Sequence, residues 1–369
     1  IRLKGKATNS SNSSEISGIY AYSGLKLDSG SSGDILFDGS ASKSTGTVYG
    51  IALLGHQDDN LYLRSNNGDI NLNGEALLNP SSEYGVYLRG HGDNKTENVI
   101  EATGTGNISI TSSAAGGQST SNDFHIYVTN ILASSGDITI SGTSSDQYKR
   151  GFIQYSYFGS RVYGSSDGDA NLVTSSTSDI SILHDKPQFE NWSGIIETAG
   201  TLTIAPYNDD FQSILTLPSH LTIASSVSGL TIGKSATSSD GTDDMGVSLS
   251  EAINIAGDVN IYGKDININN TINTSGDLLV KATRHNSIDA NISASSAKFW
   301  ADSDKDGDGI NLITASSITT SGGALTFGNG ETNTSGFLVG GDVYFNSSTA
   351  QTLSTNGGDL AVHGETLLA

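Results

Sequence analysis

The chain has no cysteine, four prolines, one methionine and two tryptophans among 369 residues. No disulfide can staple it, and a secreted or surface protein stabilised by stacked strands does not need one. Basic residues are also scarce, with 18 Lys and Arg against 39 Asp and Glu, a net charge of −21. Phosphate contacts require clustered basic side chains, and none are clustered here, so nucleic-acid binding is excluded. Such an acidic, hydroxyl-rich surface keeps an extended protein soluble and can collect divalent cations. No stretch approaches the roughly 20 apolar residues of a membrane span, and no long 3.6-residue periodicity predicts a helix. There is no signal-peptide pattern, Ile1 is not a Met start, and the chain stops in Leu367-Leu368-Ala369. Those ends read as a segment of a larger polypeptide or a processed form.

What is present is a phrase. A Gly, usually followed by Asp or Asn, precedes two apolar residues separated by one polar residue. It reads Gly-Asp-Ile-Leu-Phe from Gly33, Gly-Asp-Ile-Asn-Leu from Gly68, Gly-Asn-Ile-Ser-Ile from Gly106 and Gly-Asp-Ile-Thr-Ile from Gly136. Further copies start at Ser178, Gly200, Gly257, Gly341 and Gly358. Alternation of period two puts both apolar residues on one face of a strand, so Ile138 and Ile140 point inward and Thr139 outward. The Gly is expected to supply a turn with positive φ, and the Asp or Asn to bond its own backbone there. One such strand cannot bury its pair alone, whereas stacked copies build a continuous core. In bulk the chain, 35% hydrophobic and 15% charged with 45 Gly, resembles a disordered tract, and this periodicity argues against that reading.

The spacings predict a right-handed parallel β-helix, all-β and elongated, with polar loop insertions. Val259 and Leu278 set one short spacing, and Leu325, Val343 and Leu360 read as equivalent starts at almost the same interval. Intervals this short suit one coil of short strands and tight turns. Residues 196–369 form the more regular part. Residues 1–195 form a Tyr-rich part with longer units, marked by Gly18-Ile19-Tyr20-Ala21, Gly50-Ile51-Ala52-Leu53 and Gly85-Val86-Tyr87-Leu88, with weaker echoes starting at His125 and Gly151. At about 4.8 Å per coil, about 13 to 16 coils would make a rod on the order of 60–75 Å.

Asp302-Ser303-Asp304-Lys305-Asp306-Gly307-Asp308-Gly309 is the sharpest local motif. Carboxylates at every second residue, followed by Gly, can wrap a hard cation, as in the first half of an EF-hand-type loop. The twelfth position falls on Ile313, where that loop needs a bidentate Glu, and there are no flanking helices. Two readings stay open: Ca2+ held by Asp302, Asp304, Asp306 and Asp308 in a structural role, or a plain acidic turn. Eleven of 14 tyrosines precede residue 165. They could stack on sugar rings or a partner protein, or fill the core and ladder between coils. The seven His are scattered, and no Gly-x-Ser-x-Gly elbow is present. Asp58-Asp59, Asp209-Asp210 and Asp243-Asp244 are acidic pairs that the sequence does not bring together with Lys149 or Arg150. An enzyme is therefore not expected.

Ile318-Thr319-Thr320-Ser321-Gly322-Gly323-Ala324-Leu325-Thr326-Phe327-Gly328 and Gly341-Asp342-Val343-Tyr344-Phe345-Asn346 resemble repeats of filamentous-haemagglutinin-type exoproteins. The likeness covers roughly 196–369 and is looser over 1–195. It implies a right-handed β-helix and an extracellular or cell-surface adhesin, and carries over no catalytic residue. The expected function is a non-catalytic adhesin or stalk segment. Its partners would be glycans or proteins on host or neighbouring cells. The alternatives are a filament or sheath subunit that stacks on copies of itself and, more distantly, a polysaccharide-processing enzyme.

Overall fold

The computed structural model of the protein describes residues 1–8, 15–43, 45–55, 61–77, 82–90, 98–115, 122–127, 129–143, 150–154, 157–159, 162–163, 170–171, 177–189, 195–217, 221–235, 246–305, 309–330, 332, 341–347 and 349–368. Among these residues every regular element is a strand, and no helix is long and apolar enough to cross a membrane. The chain forms two compact units, Ile1–Thr201 with His220–Thr222, and Leu202–Ser219 with Ile223–Ala369.

In the first unit the chain visits three sheets in turn. The first sheet holds Arg2–Thr8, Ile35–Ser42, Ile70–Leu77, Ile108–Ala114, Ile138–Gly142 and Ile180–Leu183. The second holds Glu15–Tyr22, Thr47–Leu54, Ser82–Arg89, Asn122–Tyr127, Arg150–Gln154 and Pro187–Gln188. The third runs from Lys26–Asp28 through Tyr62–Ser65, Asn98–Ala102, Thr129–Ala133 and Tyr157–Gly159 to Ile195–Glu197. Each strand pairs in parallel with its counterpart one turn later, which is a solenoid-like repeat. One antiparallel pair, Val162–Tyr163 with Ala170–Asn171, departs from this pattern.

The second unit repeats the plan with shorter strands. A representative turn is Asp258–Gly263, Ile266–Ile268 and Ile272–Thr274, followed by Leu278–Ala282 in register with the first of these. Val259 faces Leu278, Leu278 faces Ala297, Ala297 faces Leu325, and Leu325 faces Leu360. The predicted equivalence of Val343 with Leu325 and Leu360 is therefore wrong. Val343 sits in another sheet, between Asn311 and Thr366, so a single long turn runs from Leu325 to Leu360. Alternation is a local property that two different sheets share, and spacing alone could not separate them.

The inward columns are as expected. Ile35, Ile70, Ile108, Ile138 and Ile180 face one another across successive turns, and Phe37, Leu72, Ile110, Ile140 and Ile182 form the next column. All ten are buried, and each such side chain contributes roughly 1.5–3 kcal/mol on leaving water. In the second unit Phe299 stacks on Phe327 with centroids 5.5 Å apart. Beside the apolar columns runs a buried amide pair, Asn286 Nδ2 donating to Asn311 Oδ1 at 2.9 Å.

Two roles in the repeated phrase differ from expectation. The Asp or Asn bonds the next turn and not its own backbone. Asp34 Oδ1 accepts the Asp69 N–H at 3.0 Å, and Asp69 Oδ1 that of Asn107 at 2.8 Å. Asn107 Oδ1 accepts from Asp137, Asp137 Oδ1 from Asp179, and Asp179 Oδ1 from Thr201. The second unit repeats the contact, Asp258 Oδ1 accepting from Asp277 at 2.8 Å. The phrase Gly does not take positive φ, a conformation found instead at Gly30, Gly233 and Gly322, among others. Its absent Cβ matters for another reason. A Cβ on Gly106 would overlap the carbonyl of Gly68, and one on Gly136 the carbonyl of Gly106.

Gly106→Ala is expected to destabilise the fold by about 1–3 kcal/mol, as overpacking against rigid backbone does. Thr139→Ala, on the outer face, should stay within about 0.5 kcal/mol. Asp69→Asn keeps the acceptor that Asn107 already supplies naturally, so it should be nearly neutral. Asp69→Ala should cost about 0.5–1.5 kcal/mol. Equilibrium urea unfolding of the four variants checks the ranking.

Candidate functional site

The outer face of the second sheet of the first unit gathers the tyrosines. Glycines shape it. Val48 and Ile51 are both fully buried although two residues separate them, so the in–out alternation slips by one at Gly50, and likewise at Gly85 between Tyr84 and Val86. A Cβ on Gly39 would overlap the Gly50 carbonyl, and one on Gly74 the Gly85 carbonyl. The first and second sheets thus touch backbone to backbone through facing glycines. The slip leaves aromatic residues flanking the glycine column on the outside.

Register then brings the rings together. Tyr49 faces Tyr84, Tyr20 faces Ala52, Ala52 faces Tyr87, and Tyr87 faces His125. Tyr49 and Tyr84 stack with centroids 5.3 Å apart and planes 14° from parallel. Tyr87 lies 4.9 Å from Tyr84 and 5.3 Å from Tyr49, tilted to both. His125 meets Tyr87 edge-on at 5.0 Å, and Tyr127 meets His125 edge-on at 6.4 Å. Offset and edge-to-face pairs of this kind contribute about 0.5–1.5 kcal/mol beyond burial. Tyr20 and Tyr22 stand at the margin, each 54% exposed.

Burial keeps Tyr49, Tyr87 and His125 uncharged at physiological pH. Burial raises the Tyr49 hydroxyl above its ordinary range, with Glu15 and the neighbouring hydroxyls adding to the shift. Burial raises Tyr87 as well, against the opposing charge of Arg89. His125 is pushed down to about 4, by burial first and then by Arg89. The face therefore offers flat rings and hydroxyl groups, the chemistry for hydroxylated rings or partner side chains.

Of the two readings of the tyrosines, the structure favours laddering between turns, on the outside of the sheet. Tyr62 belongs to the third sheet, where its hydroxyl donates to Glu101 Oε2 at 2.6 Å. Tyr148 and Tyr155 lie outside the described residues. The echo expected to start at His125 is displaced by two positions, since His125 pairs with Tyr87 and not with Gly85. That displacement hid His125 from sequence reasoning.

The remaining candidates separate. Asp302 is buried, with φ of 48°, and its carbonyl accepts the Lys305 N–H at 3.1 Å, closing a tight turn. Asp304 Oδ1 is buried without a hydrogen-bond partner. Asp306 and Asp308 lie outside the described residues, and Ile313 is a core residue. Among the described residues no three His, Asp or Glu are grouped to hold a metal ion. Asp58-Asp59, Asp243-Asp244 and Lys149 also lie outside the described residues.

A buried pair had no signal in the sequence. His184 Nε2 lies 3.2 Å from Asp123 Oδ2, both side chains at most 1% exposed. The contact lacks the alignment of a hydrogen bond and acts as a close electrostatic contact. Asp123 Oδ1 accepts the Ala114 N–H, and His184 Nδ1 accepts the Lys186 N–H. The neutral imidazole therefore carries its proton on Nε2, facing the carboxylate. Ser112 Oγ donates to the Asp123 carbonyl and not to the imidazole. Sealed in this way, Asp123 and His184 join turns two apart, meeting beside Gly142 of the intervening turn, and offer no accessible nucleophile.

No protein-family model, no curated protein and no solved structure matches the chain.

His125 binds its proton less readily when folded than when unfolded, where its value is 6.5. Its contribution is complete above about pH 6.5 and is lost as pH falls toward about 4. Wild type should lose about 2 kcal/mol more stability than His125→Phe between about pH 7 and about pH 5. Urea unfolding of both proteins at the two pH values measures the difference.

Proposed function

We propose that this chain is a segment of a secreted or surface-displayed bacterial adhesin or stalk of the filamentous-haemagglutinin type. It folds as an elongated right-handed parallel β-helix, the hand that parallel crossover connections of L-residues adopt. It is non-catalytic and meets glycans or proteins of host or neighbouring cells through its outer aromatic face. The observation that carries this reading is the cluster of Tyr49, Tyr84, Tyr87 and His125, with Tyr20 and Tyr22 exposed beside it. Rings held by neighbouring turns form a pre-organised platform that loses little side-chain entropy on binding. Repetition of the turn multiplies contacts that are weak one by one.

A second reading, an end-to-end filament, is favoured by apolar residues left exposed on outermost strands. Leu3 lies on Arg2–Thr8, Leu360 on Leu360–Val362, and Leu367 and Leu368 on Thr366–Leu368. An abutting coil, from further chain or from a second copy, would cover them and pair their open backbone edge.

Tyr20→Ala combined with Tyr22→Ala alters only marginal, exposed rings. It should weaken adhesion of the purified chain to host-cell monolayers and immobilised surface glycans at least about tenfold. Unchanged adhesion in the double variant, or none by the wild type, would sink the first reading. Uniform filaments by electron microscopy across a dilution series would replace it with the second.

A further inference from the structure

Two strands of the first-sheet type leave core positions open. Arg2–Thr8 is the outermost of them in the first unit, and Leu360–Val362 the outermost in the second. Leu3 faces Phe37 and Val362 faces Phe327, so both stand at the second apolar position of the phrase. Phe37 and Phe327 are fully buried, whereas Leu3 is 40% exposed and Val362 36%. Ile1, whose carbonyl accepts the Leu36 N–H, and Leu360, which faces Leu325, hold the first apolar position and are exposed as well. An open strand edge flanked by exposed apolar residues is a template for another strand.

The two edges carry opposite charge. The chain has no Asp or Glu before Glu15, and Arg2, Lys4 and Lys6 all lie on Arg2–Thr8. It has no Lys or Arg after Lys305, and Asp342, Asp359 and Glu365 each immediately precede one of the last strands. Stacking like edge on like edge would set three basic side chains against their own copies. Stacking head to tail sets the basic strand against the acidic edge and keeps the strands parallel, as they are between turns. Lys4 is engaged by Asp38 at 2.9 Å, so Arg2 is the nearest cation left to face the junction.

The phrase then fixes the register. Continued across the junction, it puts Leu3 of one copy over Val362 of the next, Ile1 over Leu360 and Arg2 over Ala361. Arg2 is then diagonal to Asp359, a separation that a long side chain spans. We propose, resting on the end-to-end reading, that the partner of these edges is a second copy of this chain. Arg2–Thr8 of one copy pairs in parallel with Leu360–Val362 of the next, with Leu3 over Val362 and Arg2 beside Asp359. A head-to-tail contact of this kind generates filaments or rings.

The chain has no cysteine, so introduced pairs report on the junction alone. With Leu3→Cys and Val362→Cys in one chain, mild oxidation should give a ladder of disulfide-linked oligomers on a non-reducing gel. Ala7→Cys with Val362→Cys is four residues out of register and should give few, because a disulfide needs Cα atoms within about 7 Å. Arg2→Glu should weaken association about tenfold by sedimentation, and adding Asp359→Arg should restore it. Arg2 and Asp359 are exposed, and far-UV circular dichroism checks folding of every variant. Wild-type chains that stay monomeric at every concentration would overturn the contact together with the end-to-end reading, and assign the edges to flanking coils of a longer polypeptide. Filaments that fail to cross-link through Leu3→Cys with Val362→Cys, that cross-link equally through Ala7→Cys, or that are indifferent to Arg2→Glu would overturn the contact alone.

Discussion

A side-chain oxygen of one turn accepting the main-chain N–H of the same position one turn later is the contact on which the rest of this architecture depends. It recurs from Asp34 through Asp69, Asn107, Asp137 and Asp179 to Thr201. Each bond contributes modestly, about 0.5–1.5 kcal/mol. Its greater effect is on register. It lies at the entrance of each strand of the first sheet from Ile35–Ser42 to Ile180–Leu183, so the apolar pair that follows must lie over the pair of the previous turn. A slip of one residue would turn Ile138 and Ile140 outward and Thr139 inward. The preceding glycine serves the same end, because a Cβ there would hold adjacent turns apart at the point where this bond has to form.

Register held in this way turns composition into surface. A residue type that recurs once per turn becomes a stripe, and its contacts follow from the spacing between paired strands. Stacked Ile and Phe give the core, and stacked Tyr gives the aromatic face. The glycine column of the second sheet adds a refinement. By letting two sheets touch through their backbones it shifts the alternation, which places Tyr84 and Tyr87 on the same side, 4.9 Å apart. Close approach inside and ring clustering outside are two consequences of one set of missing side chains.

Loop length decides where polar groups converge. Turns in the first unit are unequal: between Ile35 and Ile180, the turn from Ile108 to Ile138 is the shortest and that from Ile138 to Ile180 the longest. Such variation is tolerated because closing a longer loop costs little extra entropy. In the second unit the turn from Val259 to Leu278 and the turn from Leu278 to Ala297 are equal in length, so Tyr262, Lys281 and Trp300 stack without interruption. Charge is managed by pairing between turns. Arg284 makes a bidentate ion pair with Asp265 of the previous turn, and its charge helps hold the Asp265 carboxyl below the usual range despite partial burial.

The amino-acid sequence by itself determined that the chain is all-β, that its strands stack, and which residues of each Gly-Asp phrase point inward. Alternation of period two is carried by adjacent residues and needs no knowledge of distant ones. It also located the tyrosines, though not the side of the sheet they occupy. Tertiary structure decided the rest. Leu325 pairs directly with Leu360 while Val343, between them in the chain, joins another sheet, because two sheets can share one local pattern. His125 enters the aromatic cluster through a register displaced by two, and Asp123 meets His184 inside the stack. Pro206 and Phe211 line one hollow with Lys281 and Thr283, though no spacing connects them. These contacts depend on how each intervening loop closes, and loop length is the one quantity the repeat leaves free.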